Sequence, residues 1–238
     1  MTTLPLLVLA GGLGTRLQSV VADVPKPLAP VNHRPYLAHL LDHWIEQGVQ
    51  NIVFLLHHKA RMIIDFLNQY QLDNPCSTLS WVTIVESEAL GTGGAVANAI
   101  QKLSIKGDFI LTNADTWLGC GVMDISTAPS PAMAISYVND ADRYGIVCLE
   151  GDKISRFEEK TDNVGGGWIN VGLYKLNSDL FSEWGGDPFS IEKELFPRLA
   201  KKNQLTAIKI DGNFIDIGVP NDYQRFCKWI ELKKSREL

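Results

Sequence analysis

Apolar residues run without a break over positions 4–10 and stop at Gly11-Gly12. A strand buried on both faces of a parallel sheet reads as such a run, and paired glycines mark the turn that ends it. Leu37, Leu40, Leu41, Trp44 and Ile45 then recur at helical spacing, and Gly48 closes the segment. Residues 51–56 predict a second strand. Over 59–70, Met62, Ile63, Phe66 and Leu67 form one apolar helical face. A third strand is expected at 81–85, a helix from about 93 to 103, and a fourth strand at 109–112 that runs into Asn113-Ala114-Asp115.

Strands that alternate with helices predict βαβ units. The expected fold class is therefore α/β, Rossmann-like, with a mixed but mainly parallel sheet flanked by helices. After Pro131 the texture changes. Strands are expected at 132–138, 145–149, 153–157, 168–176, 205–210 and 213–215, with helices at 190–202 and 221–233. No linker, repeat or low-complexity tract interrupts the chain. One domain over 1–238 is expected, with a nucleotide-binding half of about 1–130 and an acceptor half of about 131–238.

Composition adds mainly exclusions. Hydrophobic residues make up 45% and charged residues 21%, ordinary values for a globular chain, and the net charge is −5 with no basic block. A duplex-binding surface needs a basic stripe, so no nucleic-acid partner is expected, whereas a few placed cations suffice for phosphate ligands. The N-terminal apolar run is too short to span a membrane and lacks a basic leader, and the four cysteines form no CxxC pair. A cytoplasmic protein with reduced thiols and no membrane partner is expected; assembly into a homo-oligomer is left open.

The chemistry concentrates in a few strings. The first is Leu9-Ala10-Gly11-Gly12-Leu13-Gly14-Thr15-Arg16-Leu17, followed by Pro25-Lys26-Pro27-Leu28. Glycines after a buried strand let backbone N–H groups approach phosphate oxygens, and Arg16 adds a forked cation. It is not a Walker A loop, which ends in Gly-Lys-Ser/Thr, nor a dinucleotide fingerprint, which needs glycine where Leu17 stands. The second string, Glu88-Ala89-Leu90-Gly91-Thr92-Gly93-Gly94-Ala95, opens a helix with little side-chain bulk, so a flat base can lie on its backbone. Asp115 and Asp216 each follow an apolar run, where ligands gather at the carboxyl edge of a parallel sheet. Two carboxylates and substrate phosphates form a common setting for Mg2+. His39, His43, His57 and His58 lack a third ligand and read as surface or packing histidines.

These strings resemble the sugar nucleotidyltransferase (nucleotide-sugar pyrophosphorylase) family, in order, from Leu9 to Tyr223. The resemblance implies the nucleotide-diphospho-sugar transferase type of fold and transfer of a nucleotidyl group from a nucleoside triphosphate to a sugar 1-phosphate. It implies that Arg16 and Lys26 act on phosphates and that Asp115 and Asp216 meet to hold Mg2+. Leu9, Ala10, Gly11, Gly12, Gly14, Thr15, Arg16, Glu88, Gly91, Thr92, Gly93 and Asn113 are then the nucleotide-binding residues. Tyr144, Gly145, Glu159, Lys160 and Asn170 form the sugar-phosphate site. Ala114 departs from the glycine that many members carry there. The Leu90-Gly91-Thr92 string favours GTP. The strings Asp142-Arg143-Tyr144-Gly145 and Phe189-Ser190-Ile191-Glu192 most resemble guanylyltransferases of D-glycero-D-manno-heptose 1-phosphate. A thymidylyl- or uridylyltransferase of hexose 1-phosphate, or a silent sensor on the same fold, is the alternative.

Overall fold

Strand β1 (Leu6–Leu9) realises the first apolar run, and its side chains divide between two cores: Leu6 and Val8 enter one, Leu7 the other. That division is why the run is continuous rather than alternating. A small hairpin, β2 (Pro30–Val31) and β3 (Arg34–Pro35), precedes α1 (Tyr36–Glu46). Then follow β4 (Asn51–Leu56), α2 (Ala60–Asp73), β5 (Ser80–Val85), α3 (Gly91–Leu103), β6 (Asp108–Asn113), β7 (Thr116–Leu118) and α4 (Val122–Thr127). The second half contributes β8 (Ala132–Val138), β9 (Ile146–Glu150), β10 (Lys153–Glu158) and β11 (Gly167–Asn177). It ends with α5 (Phe196–Lys201), β12 (Thr206–Lys209), β13 (Phe214–Asp216) and α6 (Pro220–Glu237). The computed structural model describes residues 2–17, 19–21, 23–75, 77–142, 144–158 and 165–237, without the side chains of Glu158 and 234–237.

Nine strands form one mixed sheet in the order β5-β4-β1-β6-β11-β8-β12-β10-β9. The pairs β5–β4, β4–β1 and β1–β6 are parallel, as alternating strands and helices require, while β11 is antiparallel to both β6 and β8. Strand β9 also pairs back onto β11. Helix α6 packs one face with Tyr223, Phe226 and Ile230, spaced as a helical stripe. The other face is covered from α3 and α5 by Val96, Phe196 and Leu199.

Two differences from the sequence reading bear on the site. The expected helix at 190–202 is split into a π-helical turn, Ile191–Leu195, and α5. Pro197 lacks the N–H that an uninterrupted α-helix would direct at the carbonyl of residue 193, so the regular helix begins only at its own first turn. Strand β7 was not anticipated, because three residues carry no periodic signal. It pairs with β13, placing Asp216 opposite Thr116.

Candidate active site

The carboxyl ends of β5, β4, β1 and β6 stand side by side and open onto a cleft of ≈ 440 Å³. Leu9, Ala10, Gly11, Gly12 and Gly14 line it at the end of β1, and Asn113, Ala114 and Asp115 line it at the end of β6. Gly14 has φ +64, a conformation that favours glycine, and a Cβ there would lie 3.4 Å from the Lys26 Cβ. The loop therefore folds directly against Lys26. Thr15 and Arg16 follow it, both exposed and outside the lining.

Lys26 reaches the end of β6, where its Nζ donates to Asp115 Oδ2 at 2.7 Å. Asp216 arrives from the far end of the chain through the β13–β7 pair, and the Ile217 N–H donates to the Asp115 carbonyl at 2.9 Å. The two aspartates and Lys26 thus share one corner. Burial first, and the Asp115 charge second, push the Asp216 carboxyl up; the Gly218 N–H, Lys26 and Arg16 pull it down. Tyr36 is fully buried beside both carboxylates, which together with burial hold its phenol well above the usual range. Two carboxylates at one corner, with the Asp115 charge disfavouring ionisation of Asp216, suit a divalent cation with oxygen ligands, the remaining positions falling to phosphate and water. Among the described residues, no set of three acidic, His or Cys side chains forms a metal site on its own.

The wall after β5 holds the second glycine string. Gly91, Thr92 and Glu86 line the cleft, whereas the buried Gly93 and the exposed Glu88 lie outside the lining. Glu86 Oε2 accepts from the Leu90 N–H at 3.2 Å, and burial raises its carboxyl. The glycines of this string also make room for protein. A Cβ on Gly93 would lie 2.1 Å from the Phe189 ring, and one on Gly91 would lie 2.5 Å from the Phe189 carbonyl. The segment before the π-turn is thereby clasped onto α3. Gly93 N–H donates to the Phe189 carbonyl at 2.9 Å, Ile191 N–H to Thr92 Oγ1 at 2.9 Å, and Thr92 Oγ1 to Glu192 Oε2 at 2.6 Å. Glu192 so becomes a cleft residue. Its role was not legible, since only folding brings it to Thr92.

Of the residues expected to hold the acceptor, Tyr144, Gly145 and Asn170 are described. Asn170 Nδ2 donates to the Tyr174 hydroxyl at 2.8 Å, and its N–H to the Gly145 carbonyl at 2.9 Å. Tyr144 packs edge-on against Phe214, 5.2 Å between centroids, on the strand that carries Asp216. Gly172, at φ +74, lies against Asn113: a Cβ there would be 2.8 Å from Asn113 Nδ2, so this close approach requires glycine. Arg143, Glu159 and Lys160 lie outside the described residues. His39 and His43 are packing groups, each ring bonded to a carbonyl, of Val31 and Leu118. His57, by contrast, lines the cleft at the end of β4.

A sheet edge with a glycine loop, a lysine and two converging carboxylates defines a nucleotide-handling enzyme of phosphoryl chemistry. The model of the nucleotidyl transferase family matches residues 6–231, and the chain belongs to that family. The chain is a nucleotidyltransferase on a mixed α/β fold. It is 34% identical over 223 residues to the D-glycero-alpha-D-manno-heptose 1-phosphate guanylyltransferase of Campylobacter jejuni subsp. jejuni, covering 92% of this chain and 97% of that one. It is also 34% identical to the probable mannose-1-phosphate guanylyltransferase 1 of Oryza sativa subsp. japonica, over 91% of this chain but 62% of that longer protein. The crystal structure of HddC from Yersinia pseudotuberculosis complexed with GMP-PN superposes with a TM-score of 0.82 at 34% identity, covering 96% of this chain and all of that one. Among the described residues, no helix is long and apolar enough to cross a membrane.

Proposed function

We propose that the chain transfers a guanylyl group from GTP to a sugar 1-phosphate, of which D-glycero-D-manno-heptose 1-phosphate is the favoured one. The products are a GDP-sugar and pyrophosphate. The observation that carries this reading is the Lys26–Asp115–Asp216 corner beside the glycine loop. The names of the two relatives and the GMP-PN complex support the choice of guanine and of a sugar phosphate.

The charges dictate the mechanism. A sugar phosphate has a second pKa of about 6, so it is mostly a dianion at neutral pH and needs no base. One of its oxygens attacks the α-phosphorus of GTP; the new O–P bond forms as the bond to the β-phosphate oxygen breaks, and pyrophosphate leaves with that electron pair. The backbone of residues 11–14 cradles the phosphates, with Arg16 closing over them. Lys26 offsets charge at the reacting centre. Asp115 and Asp216 would hold Mg2+, which when bound neutralises charge shared by the two anions. Tyr144, Gly145, Glu159, Lys160 and Asn170 position the acceptor. Positioning and electrostatics, rather than covalent catalysis, provide the acceleration. We assign residues of about 1–130 to the nucleotide and about 131–238 to the sugar phosphate, and place the enzyme in the cytoplasm.

Glu86 supports guanine over the pyrimidines. Guanine presents adjacent N–H donors at N1 and its 2-amino group, which suit a carboxylate. Uracil and thymine present one N–H between two carbonyls, which a carboxylate repels. A pyrophosphate-release assay over a matrix of nucleoside triphosphates and sugar 1-phosphates tests the reading. GTP with the heptose phosphate should give the highest kcat/KM. Higher values with UTP or dTTP would overturn the guanylyl choice, and no turnover with any pair would overturn the reaction.

A further inference from the structure

The order of strands along the sheet edge is also an order of ligand-facing groups. Glu86 follows β5, His57 follows β4, Gly11 follows β1 and Asp115 follows β6. His57 therefore stands between the wall assigned to the base and the loop assigned to the phosphates. Its neighbours fix it there. A Cβ on Gly11 would lie 3.1 Å from both the Cβ and the backbone nitrogen of His57. On the other side, His57 Nδ1 lies 3.3 Å from the backbone carbonyl of Glu86.

That last contact selects the tautomer. A carbonyl oxygen only accepts, so Nδ1 carries the proton. In the neutral ring Nε2 is then left with a lone pair, as an acceptor. Two acceptors consequently stand on adjacent strands in one cleft: Nε2 of His57 and the Glu86 carboxylate, whose Oε2 is already held by the Leu90 N–H.

We propose that His57 is a specificity-determining residue for the base, its Nε2 accepting from the 2-amino group of guanine while Glu86 takes N1–H. The inference rests on the guanylyl reading given above. Two neighbouring acceptors match the two neighbouring donors of guanine and no other common base. Adenine offers one donor beside an acceptor, and uracil and thymine one donor between two acceptors. The imidazole thus adds to Glu86 a rejection of every triphosphate that lacks the 2-amino group.

Inosine triphosphate is the decisive probe, since it is GTP without that amino group. Binding of GTP and ITP is measured by titration calorimetry for the wild-type chain, His57→Ala and His57→Gln, with thermal melting to verify folding. The wild type should bind GTP roughly tenfold more tightly than ITP, the value of one hydrogen bond made to a partner left unpaired otherwise. His57→Ala should weaken GTP by about that factor and leave ITP within about twofold, so that the two nucleotides bind alike. His57→Gln, which keeps an acceptor of similar reach, should restore part of the difference. If His57→Ala weakens GTP and ITP equally, or neither, or if His57→Gln stays folded and discriminates as well as the wild type while His57→Ala does too, the assignment to the 2-amino group is wrong. If the wild type binds UTP or dTTP more tightly than GTP, the guanylyl reading itself has failed and the inference with it. A preference for GTP that survives in His57→Ala undiminished against ITP defeats the inference alone.

Discussion

Asp216 stands opposite Thr116 in the β13–β7 pair, and so comes to rest one residue from Asp115 along the edge of that pair. Three ladder positions, Phe214–Leu118, Ile215–Trp117 and Asp216–Thr116, do the work of joining the two halves of the chain at this corner. Behind them Trp117 stacks on His43 at 4.1 Å and packs on Phe226, which fixes the pair from the core side.

Loss of one carboxylate should therefore remove turnover rather than the fold. Asp216→Asn keeps shape and the Gly218 contact, and should cut kcat by at least about a hundredfold. Thermal melting without substrates should change little. Mg2+ titrations of both proteins check the assignment: the variant should need far more cation, and excess chelator should abolish wild-type activity. Full activity in chelator would sink it.

The two lysines should separate by kinetic constant. Lys26 already pairs with Asp115 at the corner where charge rearranges, so Lys26→Ala should mainly lower kcat. Lys160, proposed to pair with the acceptor's phosphate, should on substitution by Ala mainly raise KM for the sugar phosphate, by roughly ten- to a hundredfold. Steady-state kinetics of both variants decide. An unchanged KM in Lys160→Ala would remove that residue from the acceptor site.

How much of this was legible in the sequence follows from how local each signal is. The β1 run and its glycine loop, the strand leading to Asp115, and helices α1, α2 and α3 are continuous segments, and local sequence alone places them. Strand β7 has three residues, too few for any period, so the joining of Asp115 to Asp216 came only from family resemblance. Glu88 lies two residues after Glu86, and no pattern in the sequence distinguishes which of them lines the cleft; in the fold it is Glu86, which also accepts from the Leu90 N–H. His57 and Glu192 were illegible as cleft residues because their neighbours, Gly11 and Thr92, are distant in sequence.

The clasp between Phe189 and α3 makes a stability prediction. Gly93→Ala drives a methyl group into the Phe189 ring, which must move, and should cost about 1–3 kcal/mol of unfolding free energy in urea titration. The Leu90–Gly93 wall is displaced with it, so KM for GTP should rise as well. Unaltered stability would mean that Phe189 does not fill the space beside Gly93.

Glu86→Gln replaces one acceptor oxygen by an amide donor aimed at guanine donors. GTP kcat/KM should fall by about ten- to a hundredfold, while the variant should lose much less with UTP. Equal losses with both would show that Glu86 shapes the wall without reading the base.

One measurement tests the proposed guanylyl transfer most directly: pyrophosphate release by the purified wild-type chain with Mg2+, over GTP, ATP, UTP, CTP and dTTP against a set of sugar 1-phosphates. Turnover should need both substrates, with GTP and D-glycero-D-manno-heptose 1-phosphate giving the highest kcat/KM. Absence of pyrophosphate release from every pair, by a folded protein with Lys26, Asp115 and Asp216 intact, would contradict it.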